Sequence, residues 1–184
     1  MSNIRNKIEI ILKEIESVLV SNDIHDCEEF IKKIVNGQKI VTCGAGRVGY
    51  AIKGFCMRLG HMGYWAYHIG DTTVPRIDED DVFIVASGSG ETKTIVDLTT
   101  IAKNAGVTIL SVTGNPESTI AKMADLNITI KAPNKINTQL KSQQPMTTLN
   151  EQCLNIFFDA IVLMMIDFCK FDINSLQDRH STLE

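Results

Sequence analysis

Val82-Phe83-Ile84-Val85-Ala86-Ser87-Gly88-Ser89-Gly90-Glu91-Thr92-Lys93-Thr94 is an apolar run that breaks into a loop of glycines and hydroxylated residues. Val82 to Ala86 reads as a buried strand, and the pattern from about Thr94 to Ala105 is helical. A loop of this kind between a strand and a helix is an anion cradle. Its glycines let the backbone turn tightly and approach a ligand, the first-turn N–H groups point at that ligand, and the hydroxyls add donors. Phosphate is the fitting guest. The plainer alternative is a polar turn whose Ser or Thr only caps the helix. One cap needs one hydroxyl, whereas Ser87, Ser89, Thr92 and Thr94 crowd together here.

Outward from this loop the chain alternates. Upstream, Lys39 to Cys43 reads as a strand, followed by Gly44-Ala45-Gly46-Arg47-Val48-Gly49 and a helix to about Gly60. Tyr64 to His68 is a second strand, with a loop from Gly70 to Pro75. Downstream, Thr108 to Thr113 and Leu126 to Ile130 are strands, with a short helix beginning near Ser118. Such alternation predicts an α/β doubly wound domain, a five-stranded parallel sheet flanked by helices on both faces. Its ligand should bind at the carboxyl edge of the strands, which carries the loops after Cys43, His68, Ala86 and Thr113.

Two helices precede this core. Ile4, Ile8, Ile11, Leu12, Ile15, Val18 and Leu19 fall on one helical face, and a second helix from Cys27 stops at Asn36-Gly37. After the core, residues 132–148 form a polar segment without periodicity, which suggests an active-site loop. An apolar helix from about Leu149 to Phe168 and a short tail with Arg179-His180 complete the chain. A single domain over residues 1–184 is expected.

With 184 residues, 44% hydrophobic and 22% charged, the composition is that of a soluble globular protein. A net charge of −4 argues against a nucleic-acid partner. Met1 to Lys13 has no continuous apolar run of the secretory type, and Leu154 to Cys169, holding Asn155, Asp159 and Asp167, reads as too short and polar for a bilayer. A cytoplasmic location follows, with no membrane partner. Five cysteines without a CxxC pair read as reduced and mostly buried, and four scattered histidines lack metal-ligand spacing.

Gly44-x-Gly46-x-x-Gly49 behind a strand matches the dinucleotide fingerprint, with Asp71 about twenty residues on as a candidate ribose acid. Asp71, however, lies past the expected strand end, and the chain has no room for a separate substrate domain. The better reading is a second glycine loop that brings Gly46 and Arg47 to the same ligand, with a surface salt bridge as the plainer role for Arg47. Glu151 is either a carboxylate complementing a helix N-terminus or a general base at the sheet edge. His180 reads as a tail histidine or as a proton-transfer group.

At these residues the sequence resembles the SIS (sugar isomerase) domain family, through Ser87-Gly88-Ser89-Gly90-Glu91-Thr92, and within it the 6-phospho-3-hexuloisomerases. Further matches are Gly44-Ala45-Gly46-Arg47, Met57-Arg58-Leu59, Gly70-Asp71-Thr72-Thr73-x-Pro75, Pro145-Met146, Glu151 and the tail from Arg179 to Glu184. Val48 replaces a frequent serine, and the segment Pro145 to Glu151 lacks the subgroup's glycine after Met and phenylalanine before Glu. The resemblance implies that Ser87, Ser89 and Thr92 hold a phosphate. It implies that Glu151 is the general base and that His180, from a neighbouring subunit, shares the proton transfer. It further implies a homodimer or homotetramer with shared active sites, and no metal or nucleotide cofactor. The implied reaction converts D-arabino-3-hexulose 6-phosphate to D-fructose 6-phosphate through a cis-enediol. Two other classes fit the same loop: a non-catalytic sugar-phosphate sensor, and an aldose–ketose isomerase acting on another sugar phosphate.

Overall fold

The computed structural model describes residues 3–20, 24–133 and 141–182. Residues 134–140 of the polar stretch 132–148 expected as an active-site loop, and the last two residues of the Arg179–Glu184 tail motif, lie outside them. Helices α1 (Ile4–Leu19) and α2 (Cys27–Asn36) lead into β1 (Lys39–Cys43), α3 (Gly46–His61), β2 (Trp65–His68) and β3 (Val82–Ser87). Then come α4 (Lys93–Asn104), β4 (Thr108–Thr113), α5 (Thr119–Met123), β5 (Leu126–Thr129), α6 (Thr148–Cys169) and α7 (Asn174–Asp178).

The five strands form one sheet in the order β2-β1-β3-β4-β5, every neighbouring pair parallel. The α/β reading with helices on both faces holds. Ile40, Ile84, Leu110 and Val112 point to a core closed by α1, α2, α3 and α6. Val41, Phe83, Val85 and Ile109 point the other way, onto Ile95 and Ala102 of α4 and Ile120 of α5. Burial on both sides is why these strands are continuous apolar runs. From β1 the chain moves outward to β2, then returns past β1 to build β3, β4 and β5. The crevice between β1 and β3 is therefore the switch point, where ligands of open α/β sheets bind.

Three sequence expectations change. Ile4, Ile8 and Leu12 are exposed, and only Ile15 and Val18 of the expected α1 core stripe are buried. The tail contains a short helix, α7, that its sequence did not announce. The apolar C-terminal helix runs 22 residues, so α6 is long and apolar enough by composition to cross a membrane, contrary to the shorter reading. Its packing gives another reason for that composition. Cys153, Leu154, Phe157, Phe158, Ile161 and Met165 are buried in the domain core, with Phe158 stacked on Phe55 of α3 at 4.8 Å.

Candidate active site

The loop after β3 is built from its own side chains. Ser87, still paired in the sheet opposite Thr113, accepts a hydrogen bond from the Gly90 N–H at 3.1 Å. Its hydroxyl also lies 3.4 Å from that of Thr92. Ser89 accepts from the Glu91 N–H at 3.2 Å. Gly90 has φ 66°, and a Cβ there would strike the Ser118 hydroxyl at 2.0 Å, so only glycine fits. Glu91 faces away from the crevice chemistry: its carboxylate accepts the Thr119 N–H at 2.7 Å and the Thr119 hydroxyl at 2.9 Å, at the start of α5.

Thr92 occupies the N-cap position of α4, yet its side chain makes no capping bond. The plainer reading of this loop, hydroxyls serving as a helix cap, loses its support here. Ala45 likewise caps α3 with no side-chain acceptor. Two helices thus begin uncapped on the two sides of the switch point, each presenting first-turn N–H groups and the positive end of its dipole. Gly46, at φ 58°, opens α3, and a Cβ there would meet nothing within 4 Å. Gly44 and Gly49 let the chain fold back on itself, since a Cβ on Gly49 would lie 2.9 Å from the Gly44 carbonyl oxygen.

Arg47, in the first turn of α3, donates through Nε to Oε2 of Glu151 on α6. The other carboxylate oxygen accepts the Thr147 hydroxyl at 2.8 Å. Glu151 is 8% exposed and Arg47 is largely open. A carboxylate held on both oxygens, with one guanidinium beside it, is oriented rather than mobile. Thr147 is a site residue that the sequence reading did not single out, although its spacing of one helical turn before Glu151 is the signal that places it there. Asn150 is another. Its amide packs directly on Gly88, since a Cβ there would lie 2.6 Å from Asn150 Oδ1, and this contact joins the anion loop to the helix of Glu151.

The structure therefore brings together Gly46, Arg47 and Glu151, and across the switch point sets Ser87, Ser89 and Thr92. His180 is not with them. Its ring packs on His61, with centroids 5.1 Å apart, at the far end of α3. From Arg47 to His61 that helix rises about 21 Å. Arg58 Nη1 lies 3.2 Å from His61 Nδ1, and the Arg179 guanidinium approaches Gly63, so Arg179 and His180 both sit at this opposite edge.

Asp71 does not stand as a ribose acid at the end of β2. It lies three residues on and pairs with Lys53 at 2.7 Å, which holds its carboxyl below the usual range. His68 ends β2, with its Nδ1 2.9 Å from the Thr42 hydroxyl. The same hydroxyl lies 3.2 Å from the Tyr67 carbonyl oxygen, to which it donates. Burial, more than the nearby Lys53, lowers the His68 pKa. Among the described residues no group of three or more His, Cys, Asp or Glu is placed to hold a metal ion.

The same arrangement of loops has relatives. The 3-hexulose-6-phosphate isomerase of Bacillus subtilis is 36% identical over 176 residues, spanning 95% of this chain and 95% of that protein. That of Mycobacterium gastri is 32% identical over 183 residues, spanning 99% and 92%. A solved structure of a hypothetical protein from Methanococcus jannaschii, for which the function of 3-hexulose-6-phosphate isomerase was inferred, superposes with a TM-score of 0.82 at 27% identity, covering 97% and 99%. The SIS domain model matches residues 33–162, a stretch that holds both glycine loops, β1 to β5 and the first turns of α6, and on that match the chain belongs to the SIS domain family.

Proposed function

We propose that this chain is a sugar phosphate isomerase interconverting D-arabino-3-hexulose 6-phosphate and D-fructose 6-phosphate. One observation carries the reading. An oriented carboxylate, Glu151, shares the switch-point crevice with a hydroxyl-rich loop that leads into an uncapped helix. The names of the two full-length relatives support the choice of substrate.

In this reading the phosphate takes hydrogen bonds from Ser87, Ser89, Thr92 and the first-turn N–H groups of α4, far from the reacting carbons. That grip supplies orientation, so a substrate without phosphate loses rate as well as affinity. Glu151 removes the C2 proton of the 3-ketose. The electrons move into a C2–C3 double bond, and the C3 carbonyl oxygen becomes an enediol hydroxyl. Reprotonation at C3 with a carbonyl formed at C2 gives the 2-ketose. The net change moves one carbon-bound hydrogen from C2 to C3 and leaves the overall oxidation state of the sugar unchanged, so the conversion needs no external oxidant. In this reading Arg47, paired with Glu151, stabilises the negative charge that develops on the enediolate. A positioned base of this type is worth about 10²- to 10⁴-fold in rate.

His180 acts in a neighbouring subunit in this reading, because its own Glu151 lies at the other end of the sheet. Exposed apolar side chains support a homodimer or homotetramer: Ile4, Ile8 and Leu12 of α1, and Leu163 and Phe168 of α6. Incubating the purified protein with a panel of ketose and aldose phosphates tests the proposal. The expected result is interconversion of the 3-hexulose and fructose 6-phosphates. Binding without turnover of any member would favour a sensor, and turnover confined to an aldose–ketose pair would replace the substrate.

A further inference from the structure

Asn150 immediately precedes Glu151 and is 1% exposed. No hydrogen-bond partner lies within reach of its Oδ1 among the described residues, although that atom is shut off from solvent. Burying a carbonyl without a donor costs free energy that an apolar side chain of similar shape would not. The unpaired oxygen lies against Gly88, between two of the hydroxyl residues of the anion loop.

The geometry points to Asn150 as a specificity-determining residue that accepts a hydrogen bond from a sugar hydroxyl of the bound substrate. This rests on the reading of the crevice as a sugar-phosphate site. The chemistry of the amide oxygen chooses the partner. Like the oxygens of a phosphate dianion, it only accepts, so the two repel each other and Oδ1 has no part in holding the phosphate. A sugar hydroxyl, the next group along the ligand, donates. Rotation about χ2, whose wells are broad for Asn, brings the acceptor round to the ligand without moving α6.

Calorimetric titration of wild type and Asn150→Leu with fructose 6-phosphate, and with inorganic phosphate in competition, tests this. The expected result is a loss of about tenfold in affinity for the sugar phosphate, the value of one hydrogen bond. Affinity for inorganic phosphate stays unchanged, and the thermal midpoint is equal or higher because the unpaired carbonyl is gone. Equal losses for both ligands would make Asn150 a prop for the phosphate loop and overturn the inference. No loss for either, with or without a fall in the midpoint, would make it a packing residue and overturn it as well. If the leucine variant does not fold, Asn150→Ala carries the same comparison. Wild-type protein that binds neither ligand would overturn the reading of the site itself. Wild type that binds both, with no selective loss on substitution, overturns only the role of Asn150.

Discussion

Arg47 and Glu151 stand 104 positions apart in the chain and meet as an ion pair at the carboxyl edge of the sheet. Arg47 arrives on the first turn of α3 and Glu151 on the first turn of α6, and the packing of Phe55 on Phe158 ties those two helices together. The guanidinium side chain is 63% exposed, so solvent screens the pair and it adds little to stability.

Arg47→Met should therefore separate stability from function. The thermal midpoint is expected to shift by less than the equivalent of about 1 kcal/mol. kcat/KM is expected to fall by about 10²-fold, as when one donor to a developing oxyanion is lost. Steady-state kinetics beside thermal unfolding checks both. A variant with full activity would reduce Arg47 to a surface arginine.

In the anion loop, Ser87→Ala, Ser89→Ala and Thr92→Ala are each expected to weaken fructose 6-phosphate binding by about 1–3 kcal/mol. They should differ in stability. Ser87 is buried and its hydroxyl holds the Gly90 N–H, so its loss also costs about 1 kcal/mol of folding free energy. Thr92 makes no cap bond and its substitution should leave stability unchanged. Calorimetry and denaturant unfolding of the three variants measure this. Unchanged affinity in all three would remove the loop from the binding site.

His68 makes stability depend on pH. Its burial, with Lys53 nearby, keeps the folded-state pKa below the ordinary value of 6.5. Below pH 6.5 the unfolded chain thus binds more protons than the folded one, and stability falls as pH drops from there toward the lower folded value. Above pH 6.5 the contribution is complete. His68→Gln should flatten this acid-side fall between pH 6.5 and the folded pKa. Urea unfolding at a series of pH values gives the comparison, and parallel curves for the two proteins would contradict it.

The separation of His180 from Glu151 within one chain gives a test of shared sites. If sites are shared as proposed, Glu151→Gln and His180→Ala damage the same site only through different subunits. A mixed dimer then has one doubly damaged site and one intact site. Unfolding and reassembling the two inactive variants in equal amounts should restore roughly a quarter of wild-type activity, by counting random pairs. Activity near zero in the mixture would mean that His180 serves its own subunit. Full activity of His180→Ala alone would return it to an ordinary tail residue.

The strands were the most legible part of the chain. β1 and β4 are apolar runs that end at glycine, so Lys39–Cys43 and Thr108–Thr113 can be bounded by eye. β3 runs one residue past its apolar stretch because Ser87 still has Thr113 to pair with, and a hydroxyl residue beside glycine looks like loop. Composition announced the hydroxyl-rich loop after β3, but not that Glu91 is spent on α5 or that Thr92 leaves α4 uncapped. Those depend on what lies across the loop. Helical periodicity also overstated the core of α1: it registers a stripe, not how far a partner extends along it. Thr147, Asn150 and the distance of His180 from the site are tertiary facts, set by how α6 and α7 dock.

In the proposed reaction Glu151 moves a proton between C2 and C3 of a six-carbon ketose phosphate. Proton magnetic resonance of fructose 6-phosphate incubated with the enzyme in D₂O tests it most directly, because that ketose reaches the 2,3-enediol by losing its C3 proton. The expected result is replacement of the C3 proton by deuterium with wild type, and no replacement with Glu151→Gln although the ligand still binds, since the amide cannot accept a proton. Exchange at C1 instead would mark an aldose–ketose isomerase, and C3 exchange at the wild-type rate in the Gln variant would put the base elsewhere.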